Sequence, residues 1–231
     1  MHTGSTGNSI LDTLPSSARR LCQKMLVDLP AGTQLVGQGE HITHVFFPTT
    51  AVCSIAIELA SGEKAETGAV GQDGFVGVPL VLGVSVSTTS GVIQVPGEGY
   101  RMGAKPLLDF CRQHEAFRKA LLGYSAFRLH LASRSVACNS FHSIQQRLAR
   151  WLLFTHDCAR KNEFRLTHEA LSAMLAATRP RVSQAAAGLK AAGIIDYRRG
   201  EVRILDRKRL EAVSCECYEE NRAALATYGP H

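Results

Sequence analysis

The sequence predicts an α+β fold: an N-terminal antiparallel β-roll (jelly roll), a long dimerisation helix and a C-terminal winged helix-turn-helix. Three observations predict it. Short Val-, Ile- and Phe-rich runs alternate with turn residues over 30–103. Glycine and proline then become rare from 104 to about 160, where apolar residues recur at helical spacing. Two short helix patterns and a hairpin pattern follow within 167–206.

These patterns divide the chain into five segments. We expect an N-terminal helical lead-in at 1–28, a β-roll sensor domain at 29–114, the dimerisation helix at 115–141, the winged helix-turn-helix at 142–212, and a C-terminal helix and tail at 213–231.

We expect a cytoplasmic protein with reduced thiols. Of 231 residues 45% are hydrophobic and 20% charged, enough to give each half a core. The longest apolar stretches, 76–82 and 151–154, are far short of the roughly 20 residues of a membrane span. The first fifteen residues lack the pattern of a signal peptide. The number of cysteines, seven, is odd, which favours reduced thiols over a set of disulfide pairs.

The positive charge is concentrated in the second half. Residues 1–115 carry 7 Lys and Arg against 10 Asp and Glu, whereas residues 116–231 carry 19 against 10. A basic half joined to a mildly acidic one indicates that the second half meets a polyanion, although basic helices are often only solvated surfaces.

The N-terminal elements follow from local patterns. Residues 9–29 read as a short helical lead-in with Leu11, Leu14, Leu21 and Leu26 as its apolar positions. The runs 45–48, 52–57 and 92–97 read as strands, and Ser61-Gly62-Glu63 as a turn.

A helix at 115–141 would be about 40 Å long, more than a small barrel covers. A second copy is the economical partner for it. The expected contact stripe is Leu121, Tyr124, Arg128, Leu131 and Ser135, with the stripe through Leu122, Leu129 and Val136 as the alternative.

The segment 167–206 fits two helices joined by a tight turn. Thr167 is expected to cap the first helix and Thr178 the second, with Pro180 in the second helix's first turn. Its inner face is Val182, Ala186 and Leu189, and Gly193 ends it.

The outer face of the second helix is basic, and a hairpin with two arginines at its tip follows. Side chains at the N-terminal end of such a helix reach base edges in the major groove, and wing arginines meet phosphates. The expected DNA-binding residues are Thr167, Thr178, Arg179, Arg181, Ser183, Gln184, Lys190, Arg198 and Arg199.

Residues 29–225 resemble the Crp/Fnr superfamily of bacterial transcription regulators in the order of these parts. Four stretches resemble one group within it, whose effector is undefined: 71–77, 137–142, 146–153 and 215–218. The resemblance implies a homodimer on a near-palindromic operator, with double-stranded DNA and RNA polymerase as partners.

The resemblance assigns Arg179 the place of the family's guanine-reading arginine. Pro180 and Gln184 stand where cyclic-AMP-binding members have a base-reading glutamate and a second arginine, so the operator should differ. Ala176 replaces the usual turn glycine, a tolerable change if its φ is negative.

The sensor half lacks the residues that hold a cyclic nucleotide. Residues 21–100 contain no arginine, and Gly77-Val78-Pro79-Leu80 lacks the family's ribose-binding glutamate. We therefore expect no cofactor and no cyclic AMP, with the effector undefined.

The candidate metal ligands favour structural interpretations, so no metal site is expected. Only Cys22 and Cys53 precede residue 100, too few for an N-terminal iron–sulfur cluster. Cys138 and His142 fit a helix crossing, whereas Cys215 and Cys217 would point about 200° apart on a helix. His41 and His44 have a spacing unlike the barrel oxygenase His-x-His pair.

No catalytic triad, nucleotide-binding loop or activated nucleophile is evident, so we do not expect an enzyme. Two alternatives remain open at this point. One is a cupin-like metal-binding protein or enzyme with a helical tail, which stoichiometric iron or zinc would favour. The other is an interaction module that does not bind DNA, which salt-dependent duplex binding would exclude.

Overall fold

The N-terminal segment is helical only to residue 23. The computed structural model describes residues 5–159, 161–166 and 168–229, beginning with a short 3-10 helix (Leu11–Thr13) and helix α1 (Ser16–Gln23). The expected helix to residue 29 is wrong at its end, because Leu26 pairs with Tyr100 in a strand. Leu21 and Leu26 are accordingly exposed. The buried apolar side chains of this segment are Ile10, Leu11, Leu14, Ala18 and Cys22.

Two antiparallel sheets form the β-roll. Their strands are β1 (Leu26–Leu29), β2 (Gln34–Val36), β3 (His44–Pro48), β4 (Val52–Glu58), β5 (Lys64–Val70), β6 (Ser90–Val95) and β7 (Gly97–Gly103). One sheet has the order β1-β7-β3 and the other β2-β6-β4-β5, and the short helix α2 (Val78–Val81) lies between β5 and β6. Side chains of β6 alternate between buried and half-buried, as expected for a strand with one face on a core.

A long helix packs along the roll. Helix α3 (Ala104–Gln113) leads into α4 (Glu115–Phe141), which has the bounds that the sequence predicts. Phe117 and Tyr124 of α4 enter an aromatic cluster with Phe47 and Phe75 of the roll.

This packing corrects the expected dimer stripe. Leu121, Tyr124 and Leu131 are buried in the core of their own chain, and the Arg128 guanidinium donates a hydrogen bond to the Ala69 carbonyl at 3.0 Å. Ser135 is half-buried and lines a cavity with residues of the same chain. The roll needs an apolar face of α4 to close its core, so it takes the stripe that the sequence assigned to a partner.

The C-terminal part combines helices with a three-stranded sheet. Its elements are α5 (Ile144–Ala159), β8 (Glu163–Arg165), α6 (His168–Leu175), α7 (Arg179–Ala191), β9 (Ile195–Arg198), β10 (Glu201–Ile204), α8 (Arg207–Val213) and α9 (Cys217–Tyr228). The sheet has the order β8-β10-β9. Strand β8, which the sequence patterns did not predict, pairs through Phe164 with Val202 of β10.

The two halves touch directly. Helix α9 returns to pack against α4, and the Trp151 indole of α5 donates a hydrogen bond to the Glu66 carboxylate of β5 at 2.8 Å. Among the described residues, none of the helices has the length and apolar character needed to cross a membrane.

Candidate nucleic-acid interface

The turn between α6 and α7 is tight and carries backbone strain. The Ala177 amide donates to the Ser172 carbonyl at 3.1 Å, and Ala176 has φ +42°. Alanine was expected to be tolerable here only with a negative φ, and the observed φ is positive. An L-residue with a side chain is disfavoured in the left-handed region, so the alanine costs stability at this position.

Helix α7 presents one face to the core, as the sequence predicts. Val182, Ala186 and Leu189 are buried, and Pro180 lies in the first turn where no backbone N–H is needed. Thr178 occupies the N-cap position but its side chain makes no capping hydrogen bond. Gly193, with φ +67°, ends the helix.

The N-terminal end of α7 is an exposed basic surface. Thr178, Arg179, Arg181 and Gln184 are exposed, and Ser183 is half-buried beside them. Thr167 lies outside the described residues. Guanidinium groups and a carboxamide at this end of a helix are the donors that read base edges in the major groove.

Lys190 has a different setting from the other predicted DNA contacts. It lies in the last turn of α7, where its ammonium pairs with Asp196 of β9 at 2.8 Å and donates to the Tyr197 carbonyl at 3.2 Å. The Lys190 hydrogen bond, together with the nearby charge of Arg198, lowers the pKa of Asp196. The structure therefore ties Lys190 to the hairpin and away from the N-terminal end of α7.

The hairpin is built by the residues that its turn requires. Arg199 and Gly200 have φ +50° and +81° between the paired residues Arg198 and Glu201, the geometry of a type I′ turn. Both arginines are exposed, although Arg198 Nε lies 3.2 Å from Asp196 Oδ2. The wing thus places two guanidinium groups at its tip.

Sequence reasoning missed one arginine that supports this surface. Arg147 of α5 is buried, and its guanidinium donates to the Leu175 carbonyl at the C-terminus of α6. This satisfies a carbonyl that has no partner within its helix. The signal was available, because Arg147 lies within the apolar stripe of Ile144, Leu148 and Trp151.

A separate cavity of about 250 Å³ lies between the β-roll and α4. Its walls carry Thr67, Ser87 and Ser125 besides apolar side chains, and Arg128 enters it from α4. Among the described residues that line it, none is a carboxylate. The positive charge that the roll lacks therefore comes from α4, on a side chain already bonded to the Ala69 carbonyl.

The candidate metal ligands of the β-roll lie on its surface, and the candidate pair near the C-terminus is arranged differently from the expectation. His41 is exposed, and His44 Nδ1 lies 3.0 Å from Thr43 Oγ1 on the roll surface. The expected divergence of Cys215 and Cys217 is wrong, because Cys215 precedes α9 and only Cys217 belongs to the helix.

Comparisons with known proteins agree with this architecture. Residues 146–213 match the family described as the Crp-like helix-turn-helix domain. No curated protein sequence matches significantly.

Solved structures match over most of the chain. A transcriptional regulator described as Crp/Fnr-family from Eubacterium rectale is 16% identical, with 90% of this chain and 99% of that chain covered and a TM-score of 0.66. FixK2 from Bradyrhizobium japonicum is 14% identical over 82% and 96%, also with a TM-score of 0.66. TTHA1359, a Crp/Fnr-family transcriptional regulator from Thermus thermophilus, is 18% identical over 82% and 97%, with a TM-score of 0.61.

Proposed function

We propose that this chain, which has the fold of the Crp/Fnr transcription regulators and carries a Crp-like helix-turn-helix domain, is a sequence-specific DNA-binding regulator and not an enzyme. One observation carries the proposal. The exposed N-terminal end of α7 carries Arg179, Arg181 and Gln184, and the hairpin that follows α7 carries Arg198 and Arg199, both exposed, at its tip. The N-terminal end of such a helix enters the major groove, and wing arginines contact the DNA phosphates.

The regulator acts as a homodimer. With the inner face of α4 used by its own roll, the interface is the outer stripe through Leu122, Leu129 and Val136. Two recognition helices related by twofold symmetry read half-sites about one helical turn apart, so the operator is a near-palindrome. RNA polymerase is the further partner, because a bound regulator changes transcription through it.

The effector of the β-roll is not cyclic AMP. A buried cyclic phosphate requires a free cation or a set of backbone donors, and its ribose requires an acceptor. Arg128 is bonded to a carbonyl, and the lining described above lacks a carboxylate. Isothermal titration with cyclic AMP should give no micromolar binding, and a micromolar or tighter dissociation constant would contradict this assignment.

Selection of bound duplexes from a random pool tests the function and the operator together. We expect enrichment of one near-palindromic sequence, bound more weakly as salt rises because phosphate contacts release counterions. The absence of any enriched sequence, or affinity that is independent of salt, would exclude a sequence-specific regulator.

A further inference from the structure

Four potential metal ligands converge where α4 ends. Cys138 lies in the last turn of α4 and His142 directly follows that helix, while Cys215 lies just before α9 and Cys217 is its first residue. One sulfur or nitrogen atom from each lies within 4.8 Å of all the others. The three cysteines are buried and His142 is half-buried, so the space between them is shielded from solvent.

The distances match a tetrahedral site. The Sγ atoms of Cys138 and Cys215 are 3.7 Å apart, and Cys217 Sγ is 3.7 Å from His142 Nδ1. With metal–sulfur bonds of about 2.3 Å and metal–nitrogen bonds of about 2.0 Å, a zinc tetrahedron has edges of about 3.8 Å between sulfurs and about 3.5 Å between sulfur and nitrogen. The four side chains therefore need only small adjustments to bind one ion.

The surroundings of the histidine favour metal binding. Its Nε2 lies 3.0 Å from the Glu216 carboxylate, which leaves Nδ1 facing the cysteines. A carboxylate that accepts the second N–H of a ligating histidine fixes the tautomer and orients the ring. Glu216 itself is exposed, so it does not compete for the buried position.

Nearby cations balance the charge of such a site. Three thiolates and one divalent ion leave a net charge of −1. Arg150 acts electrostatically on Cys138 and Cys215, and Arg134 acts on Cys217. Arg150 Nε is buried without a hydrogen-bond partner among the described residues.

We propose that Cys138, His142, Cys215 and Cys217 form a closed, four-coordinate zinc site. Three thiolates and one imidazole are a ligand set of structural zinc sites. A four-iron cluster fits less well, because each ligand would bind a different iron atom and the donors would stand further apart. The site joins α4 to α9 at the junction where the long helix gives way to the DNA-binding domain.

Metal analysis of the full-length protein tests the site. Protein purified under reducing conditions and supplied with zinc should retain one zinc per chain after desalting, measured by mass spectrometry. Cys138→Ser should lose it. Cys111→Ser is the matched control, because Cys111 is a partly buried cysteine on α3 outside the cluster, and this variant should keep the full stoichiometry.

Cobalt titration of the unaltered protein gives a second readout that does not depend on the folding of a variant. Tetrahedral cobalt bound to thiolates should give intense visible absorption and a thiolate charge-transfer band. Glu216→Gln should lower zinc affinity about 10–100-fold by loosening His142. A competition titration against a chromogenic chelator measures this change.

Three results would overturn the proposal: substoichiometric zinc in the unaltered protein, iron with sulfide in its place, or a Cys138–Cys215 disulfide that persists in reductant. None of them bears on the proposed function, because the DNA-binding surface lies on α7 and the wing. A protein that binds duplexes but retains no zinc would thus contradict the metal site alone, and one that retains zinc but binds no duplex would contradict the proposed function alone.

Discussion

The arginines of the C-terminal domain should fall into two groups: those that contact base edges and those that contact the DNA phosphates. Arg179→Ala should relax base preference at one position per half-site, because a guanidinium that bonds two acceptors of one guanine discriminates by about 1–3 kcal/mol. Fluorescence anisotropy with the selected operator and its single-base variants measures the change. Equal loss of affinity for operator and random duplex would contradict the placement of Arg179.

Arg198 on the wing should behave differently. Arg198→Ala should weaken binding to all duplexes alike and reduce the salt slope by about 1 per chain, because one phosphate contact is lost. The control for both variants is Arg112→Ala, which removes an exposed arginine of α3 that is paired with Asp109. An unchanged salt slope for Arg198→Ala would exclude the phosphate contact.

The left-handed backbone at Ala176 gives a stability prediction. Ala176→Gly should raise the free energy of unfolding by about 0.5–1 kcal/mol, since glycine adopts φ +42° without the clash of a Cβ. Urea unfolding measures the change.

A glycine elsewhere in the same motif should have the opposite effect. Ala187 is exposed within α7, so Ala187→Gly should lower the free energy of unfolding by about 0.5–1 kcal/mol. If Ala176→Gly destabilised the protein as Ala187→Gly does, the turn would not have the left-handed conformation.

At the scale of elements, α4 has two apolar faces with different uses. The face through Leu121 and Tyr124 is buried against the roll, whereas Leu129 and Val136 are 71% and 70% exposed. The outer stripe advances by alternating steps of four and three residues, the spacing of a two-stranded coiled coil. It comprises Leu122, Ala126, Leu129, Ser133, Val136 and Ser140.

A charge on this stripe should prevent the proposed dimer from forming. Val136→Glu should shift the protein from dimer to monomer in sedimentation at micromolar concentration, because two buried carboxylates would face each other across the axis. Ala137→Glu is the matched control, exposed on the same helix about 100° further round, and should stay dimeric. A monomer in the unaltered protein would contradict the homodimer itself.

At the scale of the whole molecule, the contact between Glu66 and Trp151 joins the β-roll to the helix-turn-helix domain. The carboxylate accepts hydrogen bonds from Trp151 Nε1 at 2.8 Å and Ser54 Oγ at 2.5 Å. Burial raises the pKa of Glu66 despite these bonds and the nearby arginines. The only tryptophan of the chain therefore reports on a titrating contact between the two halves.

This contact should make stability depend on pH. The folded state holds the Glu66 proton to a higher pH than the unfolded state does, so stability falls as pH rises through the folded pKa. Glu66→Gln cannot ionise, so its stability relative to the unaltered protein should rise as the pH increases above the ordinary range of a carboxylate pKa.

Urea unfolding followed by Trp151 fluorescence at several pH values measures this difference. Glu98→Gln, at an exposed carboxylate of β7, is the control and should show no such trend. A difference between Glu66→Gln and the unaltered protein that is constant with pH would contradict the shifted titration.

The sequence by itself determined the elements whose signals are local. Helical periodicity gave the bounds of α4 at 115–141, and Gly200 after Arg199 gave the hairpin turn. The buried and exposed faces of α7 also followed from periodicity, so the exposed arginines of the candidate site were predictable. These features depend on residues within a few positions of one another.

Tertiary structure decided what depends on residues distant in the chain. Two neighbouring stripes of α4 are apolar, and only contact with Phe75 of the roll decided that Tyr124 faces inward. Lys190 lies in the last turn of the helix that begins at Arg179, and only the folding of the hairpin brings Asp196 to its ammonium. Cys138 and Cys215 are 77 positions apart and meet only because α9 returns to α4. Periodicity fixes which face of a helix is apolar, but long-range packing decides which surface covers it and which side chains meet.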